Sequence, residues 1–275
     1  MAPLSLGSVD PTAAVGDTGA SIVRLVKAGD ALQDPASKTG IYRISVPIPP
    51  TLPMLPQGFT FNQFLIVDDK PLLFHTGMKQ IFPVVKAAIE TVLPVSHLRY
   101  LSFSHTEADE CGALGLFLEE APDAEVICSR VEAGTNIADA VNKAPSPLAD
   151  GQELCLGAMT VQWLDTPNTP HGWGAGLLFE KTTSTLFCSD LFTQHGNKPE
   201  PILEATSLQE LNLKLFDMED YWPWTHKSRG HIERLAALEP TTLLVMHGSS
   251  LTGGNCSALL GQLGALRASL DTTAA

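Results

Sequence analysis

Apolar and polar positions along the chain follow two periods, and their order predicts an α/β protein. Ser21–Ala28 and Ile41–Ile48 alternate apolar with polar residues, as strands with one buried face do. Phe61–Val67 and Pro71–Phe74 read as two strands around the turn residues Asp68, Asp69 and Lys70. Between them and the first pair, Pro47–Pro56 marks a loop. From Met78 to Leu93 the period lengthens, and Ile81, Val84, Val85, Ala88 and Val92 fall on one helical face. A strand over Leu98–Phe103, a short helix over Ala113–Glu120, a strand over Ala124–Cys128 and a helix over Arg130–Val141 follow. The second half repeats this grammar. Met159–Leu164 and Thr242–Met246 read as strands, and Gly176–Glu180 with Thr185–Cys188 as a hairpin. Leu208–Phe216, Arg229–Leu238 and Ser257–Leu270 read as helices. Residues 1–20, rich in Gly, Pro, Ala and Thr, are expected to form a loose arm, with 21–275 as a single domain.

Polar residues at the strand ends change this picture from a fold into a candidate site. His105-Thr-Glu-Ala-Asp-Glu110 puts one imidazole and three carboxylates directly after the strand ending at Phe103. Such groups repel one another and resist desolvation unless a cation neutralises them. His171 follows the Met159–Leu164 strand, Asp190 follows Leu186-Phe-Cys-Ser189, and His247 follows Leu243-Leu-Val-Met246. Ends of neighbouring strands are where α/β folds gather their sites. His75 also lies at a strand end, but is the weaker ligand candidate; His97, His226 and His231 read as surface residues.

Composition narrows the function. A net charge of −13 argues against nucleic acid and anionic membrane surfaces. The five cysteines are scattered without a CxxC pair, so neither a disulfide framework nor a thiolate zinc site is expected. Cys111 alone adjoins the acidic cluster. No signal peptide and no apolar run of membrane-spanning length is visible, which fits a reducing cytoplasmic setting.

The ordered set of HxExD, then His, then Asp in a Ser-Asp dipeptide, then His-Gly resembles the metallo-β-lactamase superfamily. The likeness is to the di-iron domain of flavodiiron proteins and to stand-alone oxygen-binding di-iron proteins. It is carried by Phe61-Asn-Gln-Phe-Leu-Ile-Val-Asp68, Ser104-His-Thr-Glu-Ala-Asp-Glu-Cys-Gly-Ala113, Ser189-Asp-Leu-Phe192 with His195-Gly196, and His247-Gly248. The resemblance implies an αββα sandwich and two metal ions. His105, Glu107 and His171 would hold one metal, Asp109 and His247 the other, and Asp190 would bridge them. The motif's sixth position, commonly histidine, is Glu110 here; it is expected to ligate, to leave a coordination position open, or to face solvent. Glu107 and Glu110 replace the histidines of the hydrolytic HxHxDH set, and this carboxylate-rich set suits iron, or manganese, better than zinc.

Further residues are candidates for support. Asn168 and His195 lie near ligands in sequence and are candidates to orient them. Tyr221, Trp222 and Trp224 read either as packing around a Pro-rich turn or as the lining of a pocket over the metals. In the second case the Tyr221 hydroxyl would be a catalytic donor to reduced oxygen.

Three functions compete. The first is a di-iron protein that reduces O2 or NO with electrons from a separate redox protein. No FMN-binding flavodoxin segment or phosphate loop is expected in this chain, which runs 28 residues past His247. The second is a sensor or carrier that binds O2 and acts through a signalling partner. The third is a zinc-dependent hydrolase using metal-bound water. Relatives suggest a homodimer, although no interface stripe stands out in the sequence.

Overall fold

The computed structural model describes residues 19–32, 34, 36–48, 57–197, 200–204, 207–208, 211 and 221–272. The expected arm, apart from Gly19 and Ala20, lies outside the described residues, as do residues 49–56 of the expected loop and most of the expected helix over Leu208–Phe216.

The alternating segments at the start of the chain pair into an antiparallel meander: β1 (Ser21–Lys27), β2 (Gly40–Ile48) and β3 (Phe59–Val67). β4 (Leu72–Phe74) extends it, and β5 (Tyr100–Ser102), β6 (Glu125–Ser129) and β7 (Ser146–Leu148) add in parallel. Spatial order in this seven-stranded sheet equals chain order. The second seven-stranded sheet contains β8 (Glu153–Cys155), β9 (Thr160–Asp165), β10 (Gly176–Glu180), β11 (Thr185–Phe187), β12 (Ile202–Glu204), β13 (Thr242–Leu244) and β14 (Ser250–Thr252). Its order is β12-β14-β13-β11-β10-β9-β8.

Side-chain alternation makes the layers. On β3, Leu65 points to an outer core with Ile81, Val85, Leu101 and Phe117, shared with helices α1 (Phe82–Glu90) and α3 (Leu114–Glu120). Its neighbours Phe64 and Ile66 point the other way, into a core between the sheets with Phe74, Trp163, Leu178, Phe187 and Leu244. The far face of the second sheet, including Leu177, Leu186 and Leu243, packs on Ile232, Leu235, Leu260 and Leu263 of two long helices. These are Ser228–Ala237 and Cys256–Thr272. Helix, sheet, sheet, helix is the αββα sandwich the sequence led us to expect.

Three local departures have physical causes. The strand expected over Leu98–Phe103 pairs only over Tyr100–Ser102, because Leu98 closes a 3-10 turn over Val95–His97. The helix expected over Arg130–Val141 is interrupted by a π-turn at Ala133–Ile137, where Gly134, Thr135 and Asn136 are poor helix formers. β7, β8, β12 and β14 span three residues each, too few for alternation to show in sequence.

Candidate metal centre

Four strand ends meet at one edge of the sandwich. β5 stops at Ser102, and α2 (Ala108–Cys111) begins six residues later, so Glu107 and Asp109 flank the start of a helical turn just beyond the strand. β9 and β10 are joined by the loop that carries His171; Asp190 follows β11, and His247 follows β13. The loop approaches closely: Gly172 has φ +84°, and a Cβ there would sit 2.9 Å from the Cβ of His105.

The side chains converge in two groups that share one residue. His105, Glu107, His171 and Asp190 can each offer a ligand atom within 4.8 Å of the others. Asp190 Oδ2 lies 3.1 Å from His171 Nε2 and 3.5 Å from His105 Nε2. Glu107 Oε1 lies 3.4 Å from His171 Nε2 and 3.7 Å from His105 Nε2. The other oxygen of Asp190, Oδ1, lies 3.1 Å from His247 Nε2, which is also 3.4 Å from Asp109 Oδ2. Asp190 is buried, while Glu107 is 48% exposed and marks the mouth of the site.

The donor set demands cations. Nδ1–H of His171 donates to the Tyr221 carbonyl, and Nδ1–H of His247 to the Thr60 carbonyl, each at 2.9 Å. Carbonyls only accept, so both neutral rings turn a bare Nε2 lone pair towards carboxylate oxygens. Nε2 of His105, Nε2 of His171 and Oδ1 of Asp190 are buried without a hydrogen-bond partner. Lone pairs facing lone pairs in a desolvated site repel unless positive charge sits between them. The same pull acts on the protons. Burial opposes a charge on His247, but Asp109 and Asp190 outweigh it and push its pKa up to about 10. His105 is likewise pushed to about 10, burial being outweighed chiefly by Glu110 and Glu107. Asp190 is held well below the ordinary carboxylate range: burial raises its pKa, and His171 and His247 more than reverse this.

Spacing agrees with the charge argument. A metal with bonds of about 2.1 Å places neighbouring ligand atoms about 3.0–3.4 Å apart. The donors here are separated by 3.1–3.7 Å in the first group and 3.1–3.4 Å in the second. The first group therefore fits a metal ion, and Asp109 and His247 gather on the other oxygen of its Asp190.

Other expected residues take different places. Glu110 is fully buried, which overturns the expectation that it could face solvent. Its Oε2 accepts from the backbone N–H of Ser104 at 3.1 Å and of His105 at 2.9 Å, and its Oε1 accepts from Ser189 Oγ. The Tyr221 ring packs edge-on to His171 at 5.0 Å. Its hydroxyl is engaged with Thr193 Oγ1 at 3.0 Å and the Asp190 carbonyl at 3.4 Å. Trp222 and Trp224 pack against each other within the outer core of the second sheet. Asn168, at φ 58°, forms a turn with its N–H on the Gly172 carbonyl. His195 lies edge-on to Phe59 at 6.1 Å. The Cys111 thiol donates to the Glu107 carbonyl at 3.3 Å.

Several supporting residues carried no sequence signal. Phe59 stacks on His247 at 4.3 Å, and Thr60 Oγ1 accepts from the Gly248 N–H. Asn62 Nδ2 and Arg43 Nη2 both donate to the Gly248 carbonyl, at 2.8 and 2.9 Å. Thr106 Oγ1 donates to buried Glu132. Each partner lies far away in sequence, and only the Phe61–Asp68 likeness touched this region.

Comparison with known proteins bears on the family and the fold. A family model described as "ODP family beta lactamase" matches residues 59–248. The chain is similar to a nitric oxide reductase of Moorella thermoacetica, 27% identical over 141 residues, covering 50% of this chain and 35% of that protein. It is also similar to a rubredoxin-oxygen oxidoreductase of Megalodesulfovibrio gigas, 24% identical over 214 residues, covering 73% of this chain and 51% of that protein. The chain thus spans about a third to a half of the length of these relatives. In fold, it resembles a variant of a flavo di-iron protein of Thermotoga maritima with a TM-score of 0.72 at 17% identity, covering 90% of this chain and 62% of that one.

Proposed function

This chain belongs to the ODP family of β-lactamase-fold proteins, and from that premise we propose that it is a non-haem di-iron protein that binds or reduces O2 or NO. One observation carries the reading: the two carboxylate oxygens of Asp190 face different histidines, Oδ2 towards His171 and Oδ1 towards His247, each at 3.1 Å. A residue arranged in this way could bridge two ions. His105, Glu107 and His171 would hold one metal, Asp109 and His247 the second, and Asp190 would join them.

Three imidazoles with three carboxylates form a harder set than a histidine-rich site, which favours iron over zinc. Irons held there would supply the redox chemistry needed to bind or reduce a diatomic ligand. The protein's own part is to hold the ligands and the protonation states. Tyr221 and Thr60 fix the tautomers of His171 and His247 through their carbonyls. The stacked Phe59 ring and the edge-on Phe61 ring exclude water from the second histidine. Tyr221 acts through its backbone here; proton donation from its hydroxyl would require it to leave Thr193 and the Asp190 carbonyl. Electrons for turnover come from a redox protein or domain, by analogy with the rubredoxin partner in the name of one relative.

Metal analysis tests the reading. Protein purified without oxygen is expected to hold two irons per chain and to develop a near-ultraviolet or visible charge-transfer band on exposure to O2. Stoichiometric zinc without iron would overturn it. Steady O2 or NO consumption with a generic reductant assigns a reductase; uptake of one O2 per site without turnover assigns a sensor or carrier.

A further inference from the structure

Glu110 stands where the family motif commonly has histidine, yet its position and partners do not match those of the ligand group. We propose that Glu110 is a positioning residue, a buried carboxylate clip that ties together the chain ends leaving β5 and β11 beside the candidate metal ligands. The inference rests on the dinuclear reading above.

Each polar atom of Glu110 that could act is already engaged. Oε2 receives two backbone N–H groups, from Ser104 at 3.1 Å and His105 at 2.9 Å, where the chain leaves β5. Oε1 receives the hydroxyl of Ser189, which leaves β11 in the opposite sheet and directly precedes Asp190. The Glu110 carbonyl accepts from the Thr76 N–H at 2.7 Å, just after β4, and His75 Nε2 lies 3.5 Å from Oε1. Ser104 Oγ completes a ring: it bonds Ser189 Oγ and His105 Nδ1, each at 2.8 Å. One side chain therefore fixes the backbone of His105 and the residue before Asp190, and it does so across the two sheets.

The side chain is wholly desolvated. A buried carboxylate that accepts backbone N–H and hydroxyl donors gives up those hydrogen bonds if it swings away to bind metal. The two N–H groups would also be orphaned in the interior. This supplies the reason for glutamate at the position: a histidine offers one acceptor nitrogen at most and cannot satisfy two amides and a hydroxyl together.

The test compares Glu110→Gln, Glu110→Ala and Ser189→Ala by iron analysis, iron titration and Mössbauer spectra of the iron-loaded proteins. In Glu110→Gln the amide oxygen takes the two N–H groups and its NH2 turns to Ser189, so two irons with wild-type doublets are expected. Glu110→Ala is expected to weaken iron binding by about 10–100-fold and to broaden the doublets. Loss of one iron or a shifted doublet in Glu110→Gln overturns the clip and makes Glu110 a ligand. Wild-type binding in Glu110→Ala also overturns it. If Glu110→Ala does not fold, Ser189→Ala decides. The clip predicts weaker iron binding there, whereas a ligand released from Ser189 would bind iron as well or better. Wild-type protein that holds fewer than two metals would instead overturn the dinuclear reading itself.

Discussion

Asp190 concentrates the chemistry of this protein in two oxygen atoms. Both lie 3.1 Å from histidine nitrogens of different groups, and the side chain is buried. Asp190→Ala should therefore abolish binding of both irons, whereas loss confined to one would contradict a bridge; metal analysis of the purified variant reads the result. Tyr221→Phe gives the opposite expectation. It removes the hydroxyl bonds to Thr193 and the Asp190 carbonyl but leaves the carbonyl that holds His171. Full iron content with a stability loss of about 1 kcal/mol is expected, measured by denaturant unfolding. A large drop in O2 or NO turnover in that variant would restore the hydroxyl as a donor. The charges also set a pH dependence for the metal-free protein. The raised pKa values of His105 and His247, about 10, contribute stability that is complete below their unfolded value and fades as pH rises towards 10. The depressed pKa of Asp190 acts at the other end, with stability lost as pH falls through its folded value. Thermal melts of metal-free protein should thus peak in mildly acidic solution. Added iron should move the optimum upward, because metal replaces protons on the histidines.

Elements deliver these residues by stopping. The short strands β5, β11 and β13, three residues each, end just before the polar residues that the site uses. Apart from half-buried Tyr100, their own residues are buried on both faces, so the polar groups of the site emerge where the strands terminate. The β9–β10 loop works differently, by close approach. Gly172→Ala would put a methyl group 2.9 Å from the Cβ of His105 at a φ of +84°. A cost of about 1–3 kcal/mol is expected, together with weaker binding of the metal held by His105 and His171. Calorimetry and iron titration check the pair of effects, and a variant that melts like wild type would show that the loop yields freely.

At the scale of the whole molecule, the two sheets must stay in register for either group to form. Candidate ligands come from both: His105 and its neighbours from the first sheet, His171, Asp190 and His247 from the second. The join between them is the aromatic core where Phe187 meets Phe64 at 5.8 Å and Phe74 at 5.3 Å. Phe187→Ala should cost about 3–5 kcal/mol by leaving a cavity there. Iron should then protect the variant more than it protects wild type, because a metal held by residues of both sheets would supply a second join between them. Equal protection, read by melts with and without iron, would show that the core and the site are uncoupled.

Local pattern was enough to fix the order of the longer strands and of the described long helices, the acidic hexapeptide and the recurrence of polar residues at strand ends. These are properties of a few consecutive residues, and burial by period two or by helical period writes them directly into the chain. The break in the Arg130–Val141 helix and the three-residue edge strands were beyond reach, because pairing partners rather than local preference settle them. The resemblance implied two groups of candidate ligands with Asp190 between them; the distances among them and the engagement of Glu110 with Ser104, His105 and Ser189 were decided only in three dimensions. Glu107 and Glu110 look alike in sequence, three residues apart. One lies at the open mouth and the other beneath the site because α2 turns the chain between them, and what a carboxylate does depends on which donors it meets.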